Sequence, residues 1–141
     1  MKHLFVLSQF ICIALLTYFG RVFAIDVVML VQVAAIILGI WAVKSVGENN
    51  WSVYPTPNEH STISNNGAYK YVRHPMYTAL VFFFLPVALR ANGLFSWTIY
   101  GVLVFTLILK IVFEERQLIT KHPNYADFKK KTKKRLIPFV W

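Results

Sequence analysis

Two short segments carry the side chains best suited to chemistry. The first is Arg73-His74-Pro75-Met76-Tyr77, and the second is Lys110 with Glu114 and Glu115. Arg73 and His74 sit where a polar loop meets an apolar stretch. Pro75 suits a first helical turn, because its missing N–H would have no partner there. Free N–H groups at such a helix start can bind an anion such as a carboxylate. Lys110 and Glu114 are four residues apart and share a helix face. Two acidic side chains ending an apolar helix are costly against lipid and should face water or a polar cavity. Each segment also has a plainer reading: a helix cap at an interface for Arg73 and His74, and a membrane boundary for the two glutamates. Other chemistries lack their residues. There is no glycine-rich phosphate loop, no His-Glu-x-x-His zinc motif and no Gly-x-Ser-x-Gly elbow.

The elements that must position these segments are strongly apolar. The chain has 141 residues, enough for one domain. It is 57% hydrophobic and 15% charged, with a mean hydropathy of +0.51. The charges are segregated: residues 94–109 have none, whereas residues 121–135 hold seven lysines and arginines. Apolar stretches cover residues 4–19, 27–46, 77–89 and 94–113, against the ~20 residues needed to cross a bilayer. The third is short and contains Pro86. Val22-Phe23-Ala24 loosely resembles a signal-peptide cleavage site, but Arg21 is awkward before a cut and the apolar core is long, so a retained span is the better reading. The short link at 20–26 predicts that the first two stretches form a tight antiparallel hairpin.

Residues 47–74 are rich in Asn, Pro and Gly, and their Trp51, Tyr54, Tyr69 and Tyr71 are typical of a membrane interface. After residue 116 the sequence predicts an interfacial helix, with Tyr125 and Phe128 on one face and Lys129, Lys130, Lys131, Lys133 and Lys134 supplying a basic side. The fold class is thus all-α: a polytopic membrane protein of about four transmembrane helices with a C-terminal cytoplasmic or interfacial helix. Residues 1–141 form a single domain, divided into a hairpin (1–46), a cytoplasmic loop (47–74) and a second hairpin with its tail (75–141).

The formal net charge of +9 does not point to nucleic acid, because most of the excess lies in one tail behind an apolar span. With four spans, both termini and the central loop share a side carrying Lys2, Lys70, Arg73 and the basic tail. The opposite side holds Arg21 and Arg90, and the positive-inside rule makes the richer side cytoplasmic. The single cysteine, Cys12, supports neither an internal disulfide nor a metal cluster.

The order of the motifs adds a further reading. Gly67-x-Tyr69 precedes Arg73-His74-Pro75-x-Tyr77, a helical hairpin follows, and then come Glu114-Glu115-x-x-Leu118, Tyr125, Phe128 and Arg135-Leu136-Ile137-Pro138-Phe139-Val140-Trp141. Residues 61–141 so ordered resemble the isoprenylcysteine carboxyl methyltransferase family and the related membrane phospholipid methyltransferases. The resemblance implies an integral membrane enzyme that uses S-adenosylmethionine to methylate a lipophilic or lipidated acceptor. It implies that Tyr69, His74, Pro75, Met76, Tyr77 and Glu114 bind the cofactor, with Thr62 and Ile63 completing the pocket. It also places Lys110 near the acceptor, where relatives commonly carry arginine; the change keeps the charge and loses the planar fork. Ala79 and Pro123 stand in positions that often hold glycine.

A carboxylate acceptor, as in isoprenylcysteine, needs no base and would need a cation to orient it, for which Lys110 is the candidate. A phospholipid amine must first lose a proton, and His74 or Glu115 would then serve. Two other classes compete. A non-catalytic membrane subunit would bind no cofactor, and a reductase with the architecture of sterol reductases would bind a nicotinamide, for which the short loops leave little room.

Overall fold

The computed structural model describes residues 2–46, 67–91, 93–121 and 125–136. Thr62 and Ile63 lie outside these residues, as do most of the central loop, Pro123 and residues 137–141. Five α-helices form the described fold: α1 (Lys2–Phe19), α2 (Met29–Val46), α3 (Pro75–Ala91), α4 (Leu94–Lys121) and α5 (Tyr125–Lys131). No strand occurs among the described residues.

Two of these helices are long and apolar enough to cross a bilayer, Met29–Val46 and Leu94–Thr120. α1 and α3 are apolar but shorter. α2 exposes Leu30, Val33, Ile37, Ile40 and Val43, at three- and four-residue spacings that place them on one broad face of the helix. A broad apolar face turned outward suits lipid rather than water.

The helices pair in a way the sequence does not reveal. α1 lies along α4 and α2 lies along α3, whereas α1 and α2 barely touch. The expected N-terminal hairpin therefore does not close on itself; each of its arms finds a partner in the second half of the chain. α1 and α4 run antiparallel. Phe5 packs on Phe113, the Ser8 and Thr106 hydroxyls lie 3.1 Å apart, and Phe19 meets Phe95 edge-on. The core between them is Cys12, Leu16, Leu103, Leu107 and Ile111, joined by Val81, Phe84 and Val87 of α3. Gly20 is required where α1 ends, since a Cβ there would collide with Val87.

α3 accommodates Pro86 without a break. Proline frees the carbonyl four residues earlier and crowds its neighbours. The adjacent carbonyls of Val81 and Phe83 accept hydrogen bonds from the Tyr100 hydroxyl (3.1 Å) and the Gln32 amide (3.3 Å). Side chains of α4 and α2 thus support the backbone where the helix is weakest.

The link between α1 and α2 is closed by Arg90 at the far end of α3. Its guanidinium donates to both Asp26 oxygens at 2.7 Å, to Gln32 Oε1 at 2.6 Å and to the Val22 carbonyl at 2.9 Å. Asp26 also accepts from the Met29 N–H at 3.0 Å, capping α2. The Arg90 hydrogen bonds hold the Asp26 carboxyl below the usual carboxylate range. A carboxyl depressed by folding contributes stability above its unfolded pKa of about 3.9 and loses it as the pH falls below that value.

Arg90→Met is therefore expected to lower the melting temperature in detergent, whereas Arg21→Met, at an exposed site, leaves it nearly unchanged. The gap between wild type and Arg90→Met should narrow as the pH drops from 5 toward 3 ( gives about this window). A gap independent of pH would show that Asp26 is not the partner that matters.

Candidate active site

Consecutive residues on a helix point about 100° apart, and this separates the two glutamates of α4. Glu115 is buried at 3% exposure. Its Oε1 lies 3.0 Å from Arg73 Nη1 and 3.4 Å from His74 Nε2, and its Oε2 is 3.2 Å from Arg135 Nε. Glu114 keeps a quarter of its side chain open. It accepts a 3.0 Å hydrogen bond from the Tyr77 hydroxyl and lies 3.7 Å from His74 Nδ1. One carboxylate is thus enclosed by cations, while its neighbour remains available to a ligand.

The segment before α3 is held from two directions. Gly67 has a left-handed backbone (φ 57°) and sits against Ser45, so a Cβ would strike the Ser45 side chain. Ser45 Oγ accepts the Ala68 N–H at 3.2 Å, fixing the 3₁₀ turn Gly67–Lys70 to the end of α2. From the other direction the tail runs alongside. The Lys134 and Arg135 carbonyls accept from the Arg73 and His74 N–H groups at 2.9 and 3.0 Å. Thr132 donates to the Tyr69 carbonyl at 3.1 Å, and Thr78 donates to the Leu136 carbonyl.

These bonds correct one expectation. The N–H groups of Arg73 and His74 are taken by the tail, Pro75 has none, and that of Tyr77 bonds the His74 carbonyl at 3.1 Å. The start of α3 is therefore mainly a docking point for the tail, and of its first-turn N–H groups that of Met76 is left over among the described residues.

Tyr77 links two regions. Its ring stacks on His74 at 5.6 Å with an interplanar angle of 10°, and its hydroxyl reaches Glu114. The Lys110 ammonium lies 5.1 Å from the centre of the same ring, a distance at which a cation is attracted to it. Tyr69 is nearby: burial pushes its phenol upward, and the charge of Glu114 pushes it further. Tyr69 is thus a neutral donor at ordinary pH.

Below this polar cluster lies a cavity of about 450 Å³ bounded by all four long helices, a size typical of small-molecule sites. Ile13, Ile36, Val43, Leu80 and Phe83 supply apolar walls, and Met76 and Ala79 also line it. Its polar lining comes from Gln9, Tyr77 and Lys110. Lys110 is almost fully buried at 1% exposure and donates to Gln9 Oε1 at 2.8 Å. Among the described residues no carboxylate lies within ion-pair distance of its ammonium.

The structure brings Tyr69, His74, Pro75, Met76, Tyr77, Lys110 and Glu114 to one region where α3 and α4 meet. The sequence reading passed over Gln9, and it did not foresee Glu115 as the centre of an ion cluster with Arg135. A glutamine within an apolar helix is a signal in its own right, since intramembrane polar side chains usually have a function.

Glu115→Ala should cost about 3 kcal/mol, because it strands the Arg73 and Arg135 guanidiniums around a buried site. Chemical denaturation in detergent would measure this. Glu114→Gln should cost well under half as much, and equal losses would contradict the division between the two carboxylates.

No curated protein matches the chain. Residues 23–125 match the family described as phospholipid methyltransferase. The match covers α2, α3, α4 and the cluster around Tyr77 and Glu114, and stops short of α1 and of the tail. The chain belongs to the phospholipid methyltransferase family, which is related to the isoprenylcysteine carboxyl methyltransferases.

Proposed function

We propose that this protein is an S-adenosylmethionine-dependent methyltransferase of the membrane that acts on a lipophilic acceptor, with a carboxylate as the favoured methylated group. One observation carries the reading. Glu114, Tyr77, Lys110 and Gln9 form a continuous polar path from a partly open carboxylate to an apolar cavity. A water-soluble cofactor and a lipid-soluble acceptor could meet along it.

The residues present fit the cofactor. S-adenosylmethionine supplies an electrophilic methyl group on a sulfonium. Its amino group would find in Glu114 a carboxylate with a quarter of its side chain open. The stacked His74 and Tyr77, with Tyr69, offer aromatic faces for adenine or sulfonium. Pro75 and Met76 would border the pocket, and Thr62 and Ile63 remain proposed members from the central loop.

Methyl transfer is a displacement, so the protein chiefly aligns the acceptor and excludes water. The acceptor atom forms its bond to carbon as the carbon–sulfur bond breaks, and the bonding pair stays on sulfur. A carboxylate acceptor requires no proton transfer. Lys110, with no carboxylate within ion-pair distance among the described residues, would hold such a carboxylate at the mouth of the cavity. A phospholipid amine is the second reading, favoured by the family match. For an amine, one proton must leave, and His74 stands beside Glu114 to receive it.

The same geometry supports four spans. α1 accompanies α4 from Phe113 to Phe95, so it covers the same depth as a helix long enough to cross. α3 is similarly sheathed by α2. We place both termini and the site on the cytoplasmic side, where the lysines of the tail lie. Arg90 on the other side is already neutralised by Asp26.

Calorimetry with the purified protein in nanodiscs tests this reading. Wild type should bind S-adenosylmethionine, and Glu114→Gln should bind about tenfold more weakly or worse, as befits a lost charge-assisted bond. Absence of binding to wild type would overturn the assignment. With radiolabelled cofactor and a lipid extract, base-labile product would mark an ester and base-stable product an amine.

A further inference from the structure

α1 lies outside the matched family region, yet it contributes a polar side chain to the cavity. Gln9 is 6% exposed and Lys110 is 1% exposed, and they meet across the α1–α4 interface at 2.8 Å. The contact has a direction. An ammonium can only donate, so Gln9 uses its carbonyl oxygen on Lys110 and turns its NH₂ elsewhere. Among the described residues that NH₂ has no hydrogen-bond acceptor. The Lys110 ammonium has three protons. One goes to Gln9, and the Tyr77 ring face occupies another side. Unused donors from two helices therefore border one apolar cavity that no carboxylate lines.

A buried cation without a counter-ion is costly, and buried charges are ordinarily paired. Gln9 relieves part of that cost through its oxygen but cannot supply negative charge. A ligand oxyanion could do so, and its second oxygen could accept from the Gln9 amide. At Gln9 and Lys110 an amine head would meet donors and a like charge.

The geometry points to Gln9 and Lys110 as a two-helix oxyanion clamp, in which Gln9 positions the Lys110 ammonium and binds the anionic head of a long-chain amphiphile in the cavity. This deepens the methyltransferase reading and rests on it for the identity of the ligand as acceptor. The anionic group is a carboxylate or a phosphate, and both present oxygens to the same donors. Gln9 thereby makes α1 part of the substrate site.

Head-group preference at constant chain tests the clamp independently of turnover. Oleate, oleyl phosphate and oleyl alcohol are compared as competitors of a fluorescent fatty acid on the full-length protein in nanodiscs of neutral lipid. Wild type should bind at least one of the two anions about tenfold more tightly than the alcohol, a margin within reach of a charge-assisted bond. Stronger oleate binding marks a carboxylate head, and stronger phosphate binding a phospholipid head. The preference should fall below about twofold in Gln9→Leu and in Lys110→Met. Gln9→Glu keeps the side-chain size but places a carboxylate on Lys110, and it should abolish the preference as well. Cofactor binding should survive in Gln9→Leu, showing that the fold is intact. A wild type without anion preference, or a preference that persists in both Gln9 variants, would overturn the proposal. Failure of wild type to bind S-adenosylmethionine while the anion preference holds would instead overturn the methyltransferase reading and leave the clamp standing.

Discussion

A carboxylate buried against two arginines and a histidine anchors the functional end of this protein. Glu115 draws Arg73 and His74 from the start of α3 and Arg135 from the tail onto the side of α4. The enclosed charges are expensive to desolvate, and such clusters persist only when every member keeps its partner. Because Glu115 satisfies the cations, Glu114 does not have to. The helical offset between consecutive residues then turns Glu114 toward Tyr77 and leaves part of it open. The candidate site consists of what the ion cluster leaves over: one available carboxylate, a stack of His74 and Tyr77, and a buried lysine one turn earlier on α4.

The helix pairing gives this end its connection to the bilayer. If α1 and α2 packed on each other, the second hairpin would have one face for both. Instead α1 covers α4 and α2 covers α3, and the space among the four becomes the apolar cavity. Polar groups are spent sparingly along these interfaces. Gln32 serves Arg90 and the weakened backbone near Pro86 at one end, and Gln9 serves Lys110 at the other. The first lies in a network of bonds within the protein. The second opens onto the cavity with donors to spare.

Much of this was legible in the residues. Segregated charge and long apolar runs announced a helical membrane protein, and Arg73-His74-Pro75-x-Tyr77 with Glu114-Glu115 marked the site because polar side chains at apolar boundaries need a reason. The family match agrees with the membrane methyltransferase reading. The helix pairing was not legible, because apolar faces on α1 and α2 carry no code for which neighbour they choose. The division of labour between Glu114 and Glu115 was hidden too: it depends on Arg135, which reaches Glu115 only once the tail has folded back on Arg73 and His74. The same fold-back used the N–H groups that the sequence offered as an anion site. Gln9 was visible as a polar residue in an apolar helix, but its partner lies 101 positions away.

The central claim is that a methyl donor sits against Tyr77 and Glu114, above the cavity. Ultraviolet cross-linking of radiolabelled S-adenosylmethionine to the protein in nanodiscs, followed by peptide mapping, locates the donor directly. The expected result is label on the peptides carrying Tyr69 to Tyr77 and Glu114, suppressed by excess unlabelled cofactor. Label confined to α1 and α2, or label that excess cofactor does not suppress, would contradict it.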